Sequence, residues 1–156
     1  MTGAETRLIE LGLSLPEPPK PGGNYLPFRK DGNLVFLAGV ISCSPTAGEF
    51  IGQVGEDLSL EDGYEAARVC ALNALAVMKT ITGSLEDVEQ ILYVGGYVNA
   101  IPAYGKSPSV VNGASDLFVA VFGDLGRHAR AAVAVAGLPM NAAVEIQVNF
   151  KLRDGS

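Results

Sequence analysis

Two segments of the chain repeat their apolar residues at helical spacing, and this feature limits the possible folds more than any other. The first, residues 59–83, opens with Ser59-Leu60-Glu61-Asp62, which has the spacing of a helix-capping box. The second, residues 107–126, opens with Ser107-Pro108, a serine N-cap followed by proline at the first helical position. Two helices of this length can cover one face of a mixed sheet, so the sequence predicts a two-layer α+β domain.

The segments around these helices carry the turn signals and apolar runs of β-strands. Residues 34–38 are continuously apolar, which predicts a central strand covered on both faces. Pro27 cannot donate to a ladder, so residues 24–29 are predicted as an edge strand that precedes an Asp31-Gly32 turn. Gly95-Gly96 predicts a bulge or a close backbone approach. The other predicted strands are residues 88–100, 129–137 and 142–152, with a short candidate strand at 49–54.

A length of 156 residues is that of one domain, predicted here to span residues 24–156 behind an N-terminal arm of residues 1–23. The second half of the arm is rich in proline, which favours an extended chain. The net charge of −6 argues against a nucleic-acid-binding surface. No signal-peptide pattern and no apolar run of membrane-spanning length is visible, so we expect a soluble, cytoplasmic protein without a membrane partner.

The last two predicted strands alternate aliphatic side chains with small or polar ones. We expect the aliphatic sets to lie against the helices: Val133 and Val135 on one strand, and Val144, Ile146 and Val148 on the other. The opposite face would then carry Arg130, Ala132, Ala134, Glu145, Gln147 and Asn149. Two interpretations stay open, namely a solvated face with ordinary surface charges or a face on which a ligand or a neighbouring subunit docks.

These strands also contain the residues through which the chain resembles a known family. The segments are Gly126-Arg127-His128-Ala129-Arg130, Val133-Ala134-Val135, Leu138-Pro139 and Val144-Glu145-Ile146. Together they resemble the C-terminal signature of the RidA/YjgF family, the reactive-intermediate (enamine/imine) deaminases once described as endoribonucleases. The resemblance covers residues 22–152, and the N-terminal arm with residues 55–59 and 111–116 resembles a longer subgroup.

The resemblance implies a chorismate-mutase-like fold assembled as a homotrimer, with sheets facing inward and clefts between neighbouring subunits. By position, Arg130 would bind the carboxylate of the substrate, to which a guanidinium offers two parallel donors. Glu145 would position or activate the water that attacks the imine carbon. Tyr25 and Asn112 match positions that line the cleft, although edge-strand packing for Tyr25 and a loop contact for Asn112 stay open.

One position departs from the family pattern. Ala38 stands where the deaminases usually carry a serine just before the glycine that ends the second strand, so a hydroxyl that could contact the substrate is missing. His128, beside the arginine, either compensates as a substrate-binding residue or is an ordinary loop histidine.

The resemblance implies a hydrolase without cofactor or metal that converts small enamine or imine acids, such as 2-aminoacrylate, to 2-keto acids and ammonia. The alternative from another class is a non-catalytic trimer that binds a small carboxylate or serves as a scaffold, and the Ala38 departure favours it. An endoribonuclease is a weaker alternative, because the chain is acidic and has one histidine.

Overall fold

A mixed β-sheet with two long helices on one face forms the body of the chain in a computed structural model that describes residues 3–156. The helices are α1 (Ala4–Glu10), α2 (Leu60–Thr82) and α3 (Ser107–Phe122), with 3₁₀ turns at Leu85–Asp87, Gly123–Gly126 and Pro139–Asn141. The strands are β1 (Phe28–Asp31), β2 (Leu34–Leu37), β3 (Val40–Ile41), β4 (Cys43–Ser44), β5 (Gly48–Glu49), β6 (Val88–Asn99), β7 (Ala129–Val135) and β8 (Val144–Leu152). The predicted α+β class is confirmed.

The main sheet runs in the order β1-β2-β8-β6-β7, and β3 also pairs with β8. The β6–β7 pair is parallel, whereas β8 is antiparallel to β2, β3 and β6. β1 lies at one edge, as Pro27 predicts, but pairing begins at Phe28 rather than near residue 24. The candidate strand at 49–54 is reduced to β5 and three isolated bridges, one at Ile51 and two at Val54.

The capping box at the start of α2 forms as predicted. The Ser59 hydroxyl accepts from the Asp62 N–H at 3.0 Å, and the Asp62 carboxylate accepts from the Ser59 N–H at 3.0 Å. Gly83 ends the helix with φ 93°, a left-handed conformation that suits glycine. None of the described helices is long and apolar enough to cross a membrane.

α3 begins one residue earlier than the N-cap pattern predicts. Ser107 is the first helical residue and is buried, and Lys106 takes the N-cap position without a side-chain bond. Gly96 lets α3 approach the sheet, because a Cβ there would lie 2.6 Å from the Val111 methyl groups. The predicted close approach is therefore confirmed at Gly96, while the irregularities of β6 lie near its start, between Val88 and Tyr93.

The second predicted strand is not covered on both faces, and this expectation is wrong. Val35 and Leu37 are buried, but Leu34 is 42% exposed and Phe36 is 45% exposed. The helices lie on one side of the sheet only, so alternate residues of an apolar run face away from them. We call this other side, which carries Phe36, Tyr97, Val133 and Glu145, the open face.

The faces of β8 are as expected, but those of β7 are reversed. Val144, Ile146 and Val148 are fully buried against the helices. On β7, Arg130 and Ala132 lie on the helix side, whereas Val133 is 47% exposed on the open face.

The small space next to α3 explains the reversal. In the β6–β7 register Arg130 is opposite Val94 and Ala132 is opposite Gly96, at the point where α3 lies closest to the sheet. A small side chain such as that of Ala132 fits beside Gly96, so β7 turns Ala132 towards the helices and Val133 towards the open face. Alternation alone could not decide between two sets of apolar residues.

Candidate functional site

The guanidinium of Arg130 on β7 is held by one face of α3. Nη1 donates to Asn112 Oδ1 at 2.8 Å and to Ser115 Oγ at 3.1 Å, and Nη2 donates to the Pro108 carbonyl at 3.2 Å. Positions 108, 112 and 115 lie above one another on a helix surface. Two of the five N–H donors, Nε–H and one on Nη2, have no partner among residues 3–156. These two nitrogens flank one edge of the guanidinium, the edge that binds a carboxylate side-on.

His128 lies behind this arginine and is connected to it through Ser115. Nδ1 lies 2.7 Å from the Gly126 carbonyl oxygen, and Nε2 lies 2.9 Å from Ser115 Oγ. A carbonyl only accepts, so the network assigns the proton to Nδ1, and Nε2 of the neutral ring accepts from the serine hydroxyl. Burial lowers the pKa of His128, the Gly126 carbonyl raises it, and the charge of Arg130 lowers it further.

Glu145 projects from β8 on the open face, between the fully buried Val144 and Ile146. Its carboxylate lies against the backbone of Gly39, so a side chain at position 39 would require the Glu145 side chain to move. The carboxylate is half-buried and has no hydrogen-bond partner in the described part of the chain. Burial raises the pKa of Glu145 above its ordinary value.

Tyr25 and Ala38 lie beside Gly39, around a surface depression next to Glu145. The Tyr25 ring is 51% exposed, and its hydroxyl accepts from the Gly22 N–H at 3.0 Å. Ala38 is half-buried, and its N–H donates to the Pro27 carbonyl at 2.9 Å. The depression is lined by Tyr25, Leu26, Phe28, Arg29, Phe36, Ala38 and Gly39.

The predicted site residues therefore form two groups rather than one. The Arg130 group consists of Arg130, Asn112, Ser115 and His128. The Glu145 group consists of Glu145, Gly39, Ala38 and Tyr25. The expectation that Arg130 and Glu145 share a face is wrong, because the first faces α3 and the second lies on the open face.

Ser115 is the member of the Arg130 group that the sequence analysis did not select. It follows Asn112 by three residues, so the two side chains lie on one face of α3. That spacing would have identified it once Asn112 was a candidate on a helix. Among residues 3–156 no cluster of three or more His, Cys, Asp or Glu side chains is placed to hold a metal ion.

Known proteins resemble the chain over almost its whole length. The family model "YjgF/chorismate mutase-like, putative endoribonuclease" matches residues 5–151. The chain belongs to the YjgF/chorismate mutase-like family. Protein TCP17 of Trypanosoma cruzi is 37% identical over 148 residues, which are 94% of this chain and 92% of TCP17.

Two solved structures confirm the YjgF-type fold. Protein Atu1372 of Agrobacterium tumefaciens, a protein of unknown function, is 38% identical with a TM-score of 0.88, over 96% of this chain and 92% of that one. A protein of Shewanella oneidensis described as "a putative endoribonuclease" is 32% identical with a TM-score of 0.92, over 96% of this chain and 99% of that one.

Proposed function

We propose that the protein is a cofactor-independent hydrolase of small enamine or imine acids that acts at clefts between copies of this chain. One observation carries the proposal: a guanidinium with a free edge and a carboxylate without a partner lie on opposite faces of one sheet. A small substrate cannot reach both within one chain. A neighbouring copy would have to bring its Glu145 group to the Arg130 group.

The open face supports an assembly of this kind. It exposes large apolar side chains on several strands, including Phe36 at 45%, Tyr97 at 36% and Val133 at 47%. Apolar surface of this extent in a soluble chain is typical of an interface. A head-to-tail contact that closes into a ring uses two different surfaces of each copy, as the two groups require. The homotrimer that the family resemblance implies is such a ring.

In the proposed reaction Arg130 binds the substrate carboxylate, and water attacks the carbon of the C=N bond of the imine tautomer. Glu145 takes a proton from that water as the C–O bond forms, which gives a carbinolamine. Glu145 passes that proton to the nitrogen, and a second proton moves from the carbinolamine hydroxyl to the nitrogen as the C=O bond forms and the C–N bond breaks. Ammonia leaves, and the 2-keto acid is the other product. The reaction needs no oxidant or reductant. Burial raises the pKa of Glu145 above its ordinary value, which makes the carboxylate a better proton acceptor.

A second candidate function is carboxylate binding without turnover. Ala38 supports it, because the residue next to Gly39 in the Glu145 group carries a methyl group where a serine hydroxyl could have contacted a substrate. Ribonuclease activity has less support. Both nitrogens of His128 are engaged, and the net charge of −6 opposes the binding of RNA.

Mixed assemblies test the proposal most directly. Arg130→Ala and Glu145→Gln chains are co-expressed at equal levels, and ammonia release is measured on freshly generated 2-aminoacrylate. Each variant alone is expected to be inactive, while mixing restores about a quarter of the clefts in a ring with one Arg130 and one Glu145 per cleft. An inactive parent would overturn the hydrolase proposal and leave the carboxylate-binding candidate. An active parent without restoration would overturn the shared site.

A further inference from the structure

We propose that Ser115 and His128 are positioning residues that fix the Arg130 guanidinium for carboxylate binding. The inference rests on the proposed function, because it assigns Arg130 as the carboxylate-binding group. Neither residue needs to touch the substrate. His128 orients the serine hydroxyl, and the hydroxyl in turn holds Nη1 of the arginine.

The hydrogen bonds that lead from Arg130 to Gly126 form a series in which each group donates to the next. Arg130 can only donate, so Ser115 Oγ accepts from Nη1. The serine proton is then directed to Nε2 of His128, and the Nδ1 proton of the ring is directed to the Gly126 carbonyl. A neutral histidine with its proton on Nδ1 is the form that allows this order. Protonation of Nε2 would make the ring a second donor to the serine oxygen and release the serine proton from its acceptor.

The surroundings of the ring keep it in that neutral form. His128 is half-buried and packs edge-on against Phe118, with ring centres 6.0 Å apart. Burial and the charge of Arg130 both lower the pKa of His128. Arg127 and Asp116 line the same depression and are the other charged groups that face it.

The geometry explains why the free edge of the guanidinium stays available. Nη1 donates to both Asn112 and Ser115, so the N–H groups that remain for a ligand belong to Nε and Nη2. Without the serine acceptor, Nη1 would compete for the carboxylate and the planar group could turn. Affinity for a carboxylate should therefore depend on a residue that does not contact it.

Binding of pyruvate, measured by calorimetry, tests the inference with paired variants. Ser115→Ala removes one bond to a charged group and is expected to weaken pyruvate binding about tenfold. His128→Leu removes the acceptor that orients the serine hydroxyl and is expected to weaken pyruvate binding by a similar factor. Ser115→Thr keeps a hydroxyl and His128→Gln keeps an acceptor, so both should stay within about threefold of the parent. Ser109→Ala, an exposed serine on α3, is the matched control and should bind as the parent does. Kinetics on 2-aminoacrylate should show a raised KM with kcat retained.

Nuclear magnetic resonance tests the same series of hydrogen bonds without any substrate. The protein has one histidine, so the imidazole signals belong to His128. The ring ¹⁵N shifts of the ligand-free protein should show the proton on Nδ1. Arg130→Ala should raise the pKa of His128, and Ser115→Ala should change the Nε2 shift while Ser109→Ala does not.

The outcomes separate this inference from the proposed function. If Arg130→Ala abolishes activity but Ser115→Ala and His128→Leu bind pyruvate like the parent, the positioning role is wrong and the hydrolase proposal stands. A proton on Nε2 in the ligand-free protein would also overturn the positioning role. If the parent neither binds pyruvate nor turns over 2-aminoacrylate, the proposed function fails, and the inference that rests on it fails with it. The resonance data then report only whether the three side chains are coupled.

Discussion

At the residue scale, the two charged groups of the site differ in how fully their hydrogen bonds are satisfied. Arg130 makes three bonds to α3 and keeps two donors free, whereas the Glu145 carboxylate has no partner within residues 3–156. A satisfied group is fixed in position, and an unsatisfied, half-buried carboxylate is ready to take a proton. The first property suits binding and the second suits acid–base chemistry.

Removal of the guanidinium should abolish carboxylate binding. Arg130→Ala is expected to weaken pyruvate binding well over tenfold, since truncating one partner of a desolvated charge pair costs on the order of 2–5 kcal/mol. Arg130→Lys keeps the charge but not the fork and should recover little. Arg68→Ala on α2 is the control. Parental ammonia release by Arg130→Ala would contradict the assignment.

Glu145→Gln should stop turnover and stabilise the protein. Burial raises the folded pKa of Glu145 above its ordinary value of 4.5, so holding the charged form at neutral pH costs folding free energy. We expect the variant to keep pyruvate binding and to have a higher Tm than the parent at neutral pH. Below pH 4.5 both chains are neutral at this position, and the difference should disappear. A lower Tm at neutral pH would show that the carboxylate stabilises the fold.

The pH dependence of turnover should report the same carboxylate. As pH falls through the raised pKa of Glu145, the general base becomes protonated and kcat/KM should decrease. Circular dichroism at each pH distinguishes this loss from unfolding. A rate that stays constant down to the ordinary pKa of 4.5 would mean that another group takes the proton.

At the scale of elements, the contact between α2 and α3 determines where the Arg130 group lies. Gly113 of α3 lies against the Tyr64 carbonyl of α2, and the Tyr64 hydroxyl donates to Asp116 at 2.7 Å. These contacts fix α3 over β7 and so fix the acceptors that hold the guanidinium. A change at the contact between α2 and α3 should therefore alter the position of the Arg130 guanidinium.

A methyl group at this contact should separate the helices. Gly113→Ala places a Cβ against backbone of α2, which cannot rotate away, and is expected to cost roughly 3 kcal/mol in the free energy of unfolding. Denaturant titration measures the loss. Gly105→Ala is the matched control, because no atom lies within 4 Å of a Cβ there. Equal stability of the two variants would contradict the packing.

Local sequence patterns predicted the elements well and the faces of the sheet only in part. The capping box and Gly83 fixed α2 because a helix end is set by a few neighbouring residues. The alternation along β7 predicted the wrong side chains to face the helices, because valine and alanine differ in size rather than polarity. The deciding factor, the distance between α3 and β6 at Gly96, is a tertiary property. Ser115 had a local signal, its spacing of three residues from Asn112 on α3, but its role depends on Arg130 and His128, which lie outside that helix.

At the scale of the whole molecule, one side of the sheet is covered by helices and the other is left with exposed apolar side chains. The helix side supplies the core, and the open face supplies one of the two surfaces that the proposed ring would use. This asymmetry is the physical basis of the proposed trimer. It also predicts which substitutions should affect assembly without affecting the fold.

A charge on the open face should block assembly. Val133→Glu is expected to give single chains in sedimentation at micromolar concentration where the parent gives a three-chain particle, because a charge cannot be buried unpaired in an apolar interface. Ile9→Glu is the control, since Ile9 is 76% exposed on α1, in the helical layer. A parent that sediments as one or two chains would contradict the proposed clefts between the subunits of a trimer.

The placement of Arg130 and Glu145 on opposite faces has a consequence for reaction order. If each site combines Arg130 of one copy with Glu145 of the next, as proposed, a dissociated chain has no complete site. Specific activity should then fall on dilution below the dissociation constant of the ring. A substrate that bridges two chains binds the ring and not its parts. By mass action the substrate therefore opposes dissociation of the ring, so the substrate concentration affects the degree of assembly as well as the rate.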